Sequence, residues 1–198
     1  MPPPDTHMLR LKDLKAFLMA LDRRIPPPGR DIVLIGGAAV TLLCADDERQ
    51  TDDIDTLAGE ALELVMQIGA QQNPPININA RADMFDNYLP EDWESRRRQV
   101  FPFSRGTHHL RVFVPCPEDL AVMKVFRFMS KDQDDLYRLA QLPGFDRNLF
   151  QKSFLSVLRF SVGDPRRDAL SFAQTWNALF RSEPPLDTDE VMRRAGLA

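Results

Sequence analysis

Apolar residues recur at two different periods along the chain, and the change from one to the other divides it. Leu14, Phe17, Leu18 and Leu21 stand at helical spacing, with Lys12, Lys15, Asp22 and Arg23 on the opposite side, which predicts a helix over 13–24. The run Pro26-Pro27-Pro28-Gly29 ends it. Residues 31–35 are short, apolar and β-branched, the pattern of a buried strand. Gly36-Gly37 leads into a helix over 38–43, and 54–57 reads as a second strand. Leu62, Val65, Met66 and Ile68 mark another helix, and 76–79 alternates like a strand. The stretch 83–98, with Pro90 inside it, fits neither period. Residues 100–103 and 110–114 predict a hairpin around 104–107.

From Pro117 onward only the helical period remains, over 120–128, 134–142, 150–160, 169–180 and 189–195. Pro143-Gly144, Gly163-Asp164-Pro165 and Pro184-Pro185 separate these segments. Phe150, Phe154, Val157, Leu158 and Phe160 are expected to form one buried stripe, and Trp176, Leu179 and Phe180 another. No internal repeat is visible. The expected class is α/β (α+β). A small mixed sheet with flanking helices occupies 8–115, and a helical C-terminal region occupies 116–198.

The candidate chemistry lies in 32–57. A strand that ends in Gly36-Gly37 and runs straight into a helix lets the backbone approach a phosphate, and the helix N-terminus favours an anion there. Asp53 and Asp55 then stand at i and i+2, which on a strand places both side chains on one face with Ile54 turned to the core. Carboxylates held roughly 6–7 Å apart in this way repel unless a cation sits between them. Mg²⁺ suits such a pair, because it takes one or two carboxylates and completes its shell with water and substrate phosphates.

Composition narrows the setting without changing this picture. Lys and Arg total 25 against 29 Asp and Glu, a net charge of −4, so any nucleic-acid footprint has to be local. Cys44 and Cys116 are in no CxxC pair and read as reduced thiols. The N-terminal stretch lacks an apolar h-region, and no segment approaches the ~20 apolar residues of a membrane span. The expected location is the cytoplasm, with no membrane partner.

Gly36-Gly37 followed, after fifteen intervening residues, by Asp53-Ile54-Asp55 resembles the signature of the nucleotidyltransferase superfamily, the DNA-polymerase-beta-like fold. The fuller pattern, GGAAVTLL and then RxTxDID, is similar to the branch that holds AbiEii-type toxins and related uncharacterised proteins. The resemblance implies that Gly36 and Gly37 cradle the phosphates of an NTP donor and that Asp53 and Asp55 bind Mg²⁺. Arg49 and Thr51 match the RxT of that branch. Thr51 reads as a local hydrogen-bonding residue, and Arg49 as either a phosphate contact or a structural ion pair.

Glu118-Asp119-Leu120 with Lys124, then Lys131-Asp132, resembles a second stretch of these families, in which the Lys approaches the nucleotide phosphates and the Asp supports the site. Asp134 and Asp135 compete with Asp132 for that role, and on one continuous helix Lys124 and Asp132 would lie two turns apart. The stretch 88–96 resembles an LPxxWxxR pattern of related proteins. Many members place a third acid on a later strand, but residues 109–114 carry no carboxylate, leaving Asp83, Asp86 or an acid of the helical part as substitutes, or else a weaker metal site.

The activity implied is transfer of NMP from an NTP to an RNA, such as a tRNA end, or to a protein hydroxyl. The partner implied is the cognate protein of a toxin–antitoxin pair. The alternative is a weak or inactive module that only binds nucleotide or a partner. Arg96-Arg97-Arg98, with Arg105 and Arg111, is a candidate patch for an RNA acceptor or a triphosphate, or else a solvated face. His108-His109 has no further ligand at metal spacing and reads as structural.

Overall fold

The computed structural model describes residues 8–57, 61–79, 87–103 and 106–197. Contacts divide the chain into two units. One comprises Met1–Met84 with Arg97–Pro115, and the other comprises Phe85–Arg96 with Cys116–Ala198.

In the first unit, Leu14, Phe17, Leu18 and Leu21 form the buried face of α1 (Leu11–Asp22), the stripe predicted for them. Arg30–Ile35 forms β1, Gly36–Cys44 forms α2, Ile54–Thr56 forms β2, Leu62–Ala70 forms α3 and Ile78–Asn79 forms β3. The hairpin follows as β4 (Arg98–Phe101) and β5 (Leu110–Val114). Among the described residues the strands make one mixed sheet in the order β3-β2-β1-β5-β4. β1 runs antiparallel to β2, with Ile35 opposite Asp55, and parallel to β5, with Asp31 opposite Arg111 and Val33 opposite Phe113. β3 lies parallel to β2, with Asn79 opposite Asp55.

Strand alternation gives this sheet one dry side. Ile32, Leu34, Ile54, Leu110, Val112 and Val114 are all buried, whereas the intervening Asp31, Val33, Arg111 and Phe113 keep some exposure. The strand segment is α/β as expected, but β3 is shorter than the alternating run 76–79.

The second unit is helical: α4 (Pro117–Arg127), α5 (Ser130–Ala140), α6 (Arg147–Leu158), α7 (Pro165–Phe180) and α8 (Thr188–Ala195). All five begin earlier than the apolar pattern suggests, because their first turns carry capping and polar residues rather than the apolar stripe. Asp146, Asp164 and Asp187 accept hydrogen bonds from backbone N–H groups of the turns they precede. Pro117 and Pro165 open α4 and α7, where a missing N–H costs nothing.

Phe150, Phe154 and Phe172 are fully buried, with the last two rings stacked at 4.1 Å. The stripe on α6 stops short of its expected end. The helix finishes at Leu158, so Phe160 leaves the buried face and is 84% exposed. Trp176 and Phe180 are half-buried and pack edge-on at 4.7 Å.

Of the stretch that fits neither hydrophobic period, residues 87–96 belong to this helical unit and Arg97 and Arg98 to the first. Tyr88 stacks on Phe126 at 5.1 Å, Trp93 is buried, and Trp93–Arg96 forms a 3₁₀ turn. Among the described residues, no helix is long and apolar enough to cross a membrane.

Candidate functional site

Register brings the motif residues of the first unit together. Because Ile35 pairs with Asp55, the residue after Ile35 meets the Asp55 side chain directly. A Cβ on Gly36 would stand 1.9 Å from Asp55 Oδ2, and Gly36 has φ +63°. Only glycine satisfies both the space and the backbone there. A Cβ on Gly37 would stand 2.4 Å from Thr51 Oγ1 and 3.0 Å from Arg49 Nη2. Gly36-Gly37, Arg49, Thr51 and Asp55, scattered over twenty residues of sequence, therefore occupy one spot at the start of α2.

Hydrogen bonds hold this arrangement. Arg49 Nη1 donates to Thr41 Oγ1 at 3.1 Å and to the Gln50 carbonyl at 3.0 Å, while Thr41 donates to the Gly37 carbonyl at 3.1 Å. Thr51 Oγ1 donates to the Asp53 carbonyl at 3.2 Å, and the Thr51 backbone pairs with Leu9 in both directions. Arg49 thus ties the loop before β2 to the first turns of α2, and Thr51 shapes the approach to Asp53. Asp55 is 6% exposed; Asp53, just before β2, is half-buried.

The strand next to β2 on its free side is β3, not β5, which lies beyond β1. Opposite Asp55 stands Asn79, whose Nδ2 donates to Asp55 Oδ1 at 2.6 Å. A third acid on 109–114 would therefore stand on a strand two places from the pair. Sequence reasoning missed Asn79 although the alternation of Ile76-Asn77-Ile78-Asn79 was readable, because the sequence does not say which strand pairs with β2. Asp83 and Asp86 lie outside the described residues.

Asp55 and Asn79 face each other across β2 and β3, and Asp53 lies two residues before Asp55; the oxygens of such side chains are of the kind that suits a hard divalent cation. Among the described residues no group of three or more His, Cys, Asp or Glu side chains could hold a metal ion, so at this spot those residues offer the two carboxylates of the DxD pair. That number suits an ion which fills its shell with water and phosphate.

The second motif assembles in the helical unit, but not on one helix. Phe128, with φ +45°, ends α4, and α5 folds back, which brings Asp132 and Asp135 to Lys124 together. Lys124 Nζ lies 3.0 Å from Asp132 Oδ1 and 2.7 Å from Asp135 Oδ2, and all three residues are almost fully buried. These are close ionic contacts without the angles of directed hydrogen bonds. Arg127 Nε donates to Asp132 Oδ2 at 2.8 Å, and the Met129 N–H donates to the same oxygen at 2.9 Å. Burial alone would raise the pKa of Asp132, but the Arg127 hydrogen bonds and the Lys124 charge outweigh it and hold the carboxyl below its usual range.

The acids that open α4 have local partners as well. Glu118 accepts from the Asp146 N–H at 2.7 Å. Asp119 accepts from Ser153 at 3.0 Å and from Arg96 Nη2 at 3.0 Å. Cys116 is buried beside Asp119, and burial together with that negative charge pushes its thiol up to about 12, which favours the protonated form at neutral pH.

The arginine triplet is split by the fold. Arg96 joins Asp92 and Asp119 in the helical unit, where these carboxylates overcome the cost of burial and raise its pKa further. Arg97 and Arg111 instead face Phe113 on the sheet, with guanidinium carbons 4.1 and 5.8 Å from the ring centre, and Arg105 lies outside the described residues. His108 serves the hairpin: its Nδ1 is 2.7 Å from Asp22 Oδ2, while Asp22 Oδ1 accepts from the His109 and Leu110 N–H groups at 2.8 Å.

A mixed sheet that sets a Gly-Gly helix start against an acid of a DxD strand defines a nucleotidyltransferase-like core. The chain belongs to the family described as nucleotidyltransferase of unknown function (DUF6036), whose model matches residues 9–177. No curated protein and no solved structure matches it.

Proposed function

We propose that this protein transfers NMP from an NTP to a hydroxyl of an RNA or a protein, with Mg²⁺ at Asp53 and Asp55. The observation that carries the proposal is the contact of Gly36 with Asp55: the turn suited to a triphosphate and the acid suited to a metal share one spot. An ion bound there supplies Lewis-acid polarisation of the phosphoryl oxygens.

The rest is work for the chain's own groups. Asp53 and Asp55 present the anionic oxygens. Gly36 and Gly37 leave room for the Asp55 and Thr51 side chains against the first turn of α2, and the N-terminal end of a helix favours the negative charge of a phosphate. Arg49 and Thr51 keep the strand and the helix start in register. Lys124 and Asp132 enter the proposal as a charge reserve for the phosphates and its support. That role requires Lys124 to exchange a carboxylate partner for substrate oxygen, since its ammonium is held by Asp132 and Asp135.

The likeness to the AbiEii-type branch supports a toxin–antitoxin setting in the cytoplasm, with a tRNA end or a cognate protein as acceptor. A second reading, a module that binds nucleotide without turnover, is favoured by the amide of Asn79 opposite Asp55, where a third carboxylate would strengthen metal binding.

The test offers Mg²⁺ and each α-labelled NTP with total tRNA and lysate protein as acceptors, beside an Asp53→Ala/Asp55→Ala variant. Label transferred by the wild type and lost in the variant is expected, and the labelled species identifies the acceptor. Nucleotide binding by calorimetry without transfer would replace this reading with the second one. Absence of both would end each.

A further inference from the structure

The sheet carries a second feature on the same side as Asp55. Strand alternation places Ile35, Val33 and Asp31 of β1 on one face, and the register adds Asp55 and Asn79 from β2 and β3, then Phe113 and Arg111 from β5. Gln99 of β4, opposite Phe113, joins them. Two strand spacings and a two-residue offset put Phe113 about 12 Å from Asp55.

Around Phe113 the side chains form a flat, basic platform. The Arg97 guanidinium carbon lies 4.1 Å from the Phe113 ring centre, and that of Arg111 lies 5.8 Å away. Asp31 fixes both arginines, accepting from Arg111 Nε at 2.7 Å and Nη2 at 3.0 Å, with Arg97 Nη2 at 3.7 Å. Arg111 remains 62% exposed and Arg97 32% exposed, so both guanidiniums can still meet a ligand. Two cations against one anion leave the platform positive within a chain of net charge −4.

We infer that this face binds a single-stranded polynucleotide, with a base stacked on the Phe113–Arg97 platform and phosphates against Arg97 and Arg111. Stacked guanidinium and aromatic planes accept any base, and a basic groove follows the backbone. The charge complementarity selects a polyanion, and the shared face directs the end of the strand toward Asp55. The inference deepens the RNA-acceptor branch of the proposed function and rests on that reading for its purpose, but the binding itself does not depend on catalysis.

The test measures fluorescence anisotropy of short labelled oligonucleotides, RNA and DNA of one sequence, with the full chain in EDTA and without NTP, across a salt series. The wild type is expected to bind, and the preferred sugar identifies the natural strand. Arg97→Gln/Arg111→Gln should weaken binding about tenfold or more. It should also flatten the salt dependence by about 1.4 in log–log slope, at roughly 0.7 for each phosphate that the variant no longer neutralises. Phe113→Leu should weaken binding with the slope unchanged. Asp31→Asn, which removes the competing anion, should tighten it, a gain that a misfolded variant cannot produce.

Absence of binding by the wild type overturns the inference. So does a folded double arginine variant with wild-type affinity and slope, or an Asp31→Asn that does not tighten. If label transfer goes only to protein and no oligonucleotide binds, the transferase reading stands and this inference fails. If oligonucleotide binds and no transfer occurs with any acceptor, the reverse holds.

Discussion

The buried acids of the two units differ in the partners they meet. In the helical unit each buried acid meets cations or N–H donors placed to neutralise it: Asp132 has Lys124, Arg127 and a backbone N–H, and Asp119 has Arg96 and Ser153. In the α/β unit, Asp55 is pressed against the bare Cα of Gly36 and receives a neutral amide from Asn79. The first arrangement completes charges within the fold and serves packing. The second packs a carboxylate against the first turn of α2, and under the proposed function that is where a cation and a phosphate would meet. Motif likeness covered both regions equally, and geometry separates them.

Lys124 is where the helical unit is most vulnerable. Lys124→Met leaves two buried carboxylates with less compensation, and breaking such a buried pair costs about 3–5 kcal/mol. Urea denaturation is expected to show a loss of that order. A variant that melts like the wild type yet loses label transfer would move Lys124 from the structural side to the catalytic one.

Gly36→Ala attacks the other unit. The added methyl must displace Asp55 and tolerate a positive φ, and overpacking of this kind costs about 1–3 kcal/mol. The expected result is a modestly lowered melting temperature with Mg²⁺ and nucleotide binding lost in calorimetry. Retained binding would mean that Asp55 does not need its present position.

The smallest effect is expected with acid. Asp132 has a pKa held below its unfolded value, so its contribution to stability is fully present above about pH 4 and is lost as pH falls through the lower, folded value. Asp22, held down by His108 and two backbone N–H groups, acts in the same direction. An Asp132→Asn variant should therefore show a shallower fall in melting temperature below pH 4 than the wild type. An identical profile would remove Asp132 from the acid response.

Much of the candidate site was readable because its signal is local. Gly36-Gly37 before a helix and Asp53-Ile54-Asp55 at strand spacing are patterns of adjacent residues, and the single helical period after Pro117 marks the change of architecture. What escaped depends on pairing. Asn79 faces Asp55 only because β3 pairs with β2, and Phe113 meets Arg97 only through the β4–β5 hairpin. Asp135 joins Asp132 at Lys124 because Phe128 takes a left-handed conformation without a glycine or proline to announce it. Phe160 misled the pattern because α6 ends two residues before it.

By itself, then, the sequence determined the order of elements, the class of fold and the pair of acids behind a glycine turn, since periodicity and nearest-neighbour chemistry act over a few residues. Pairing of distant segments decided which partners each charge meets: Lys124 lies between Asp132 and Asp135, and Asp55 against Gly36 and Asn79. That outcome depends on strand order, register and the direction in which one helix folds back on another, and these are set by burial summed over the whole chain.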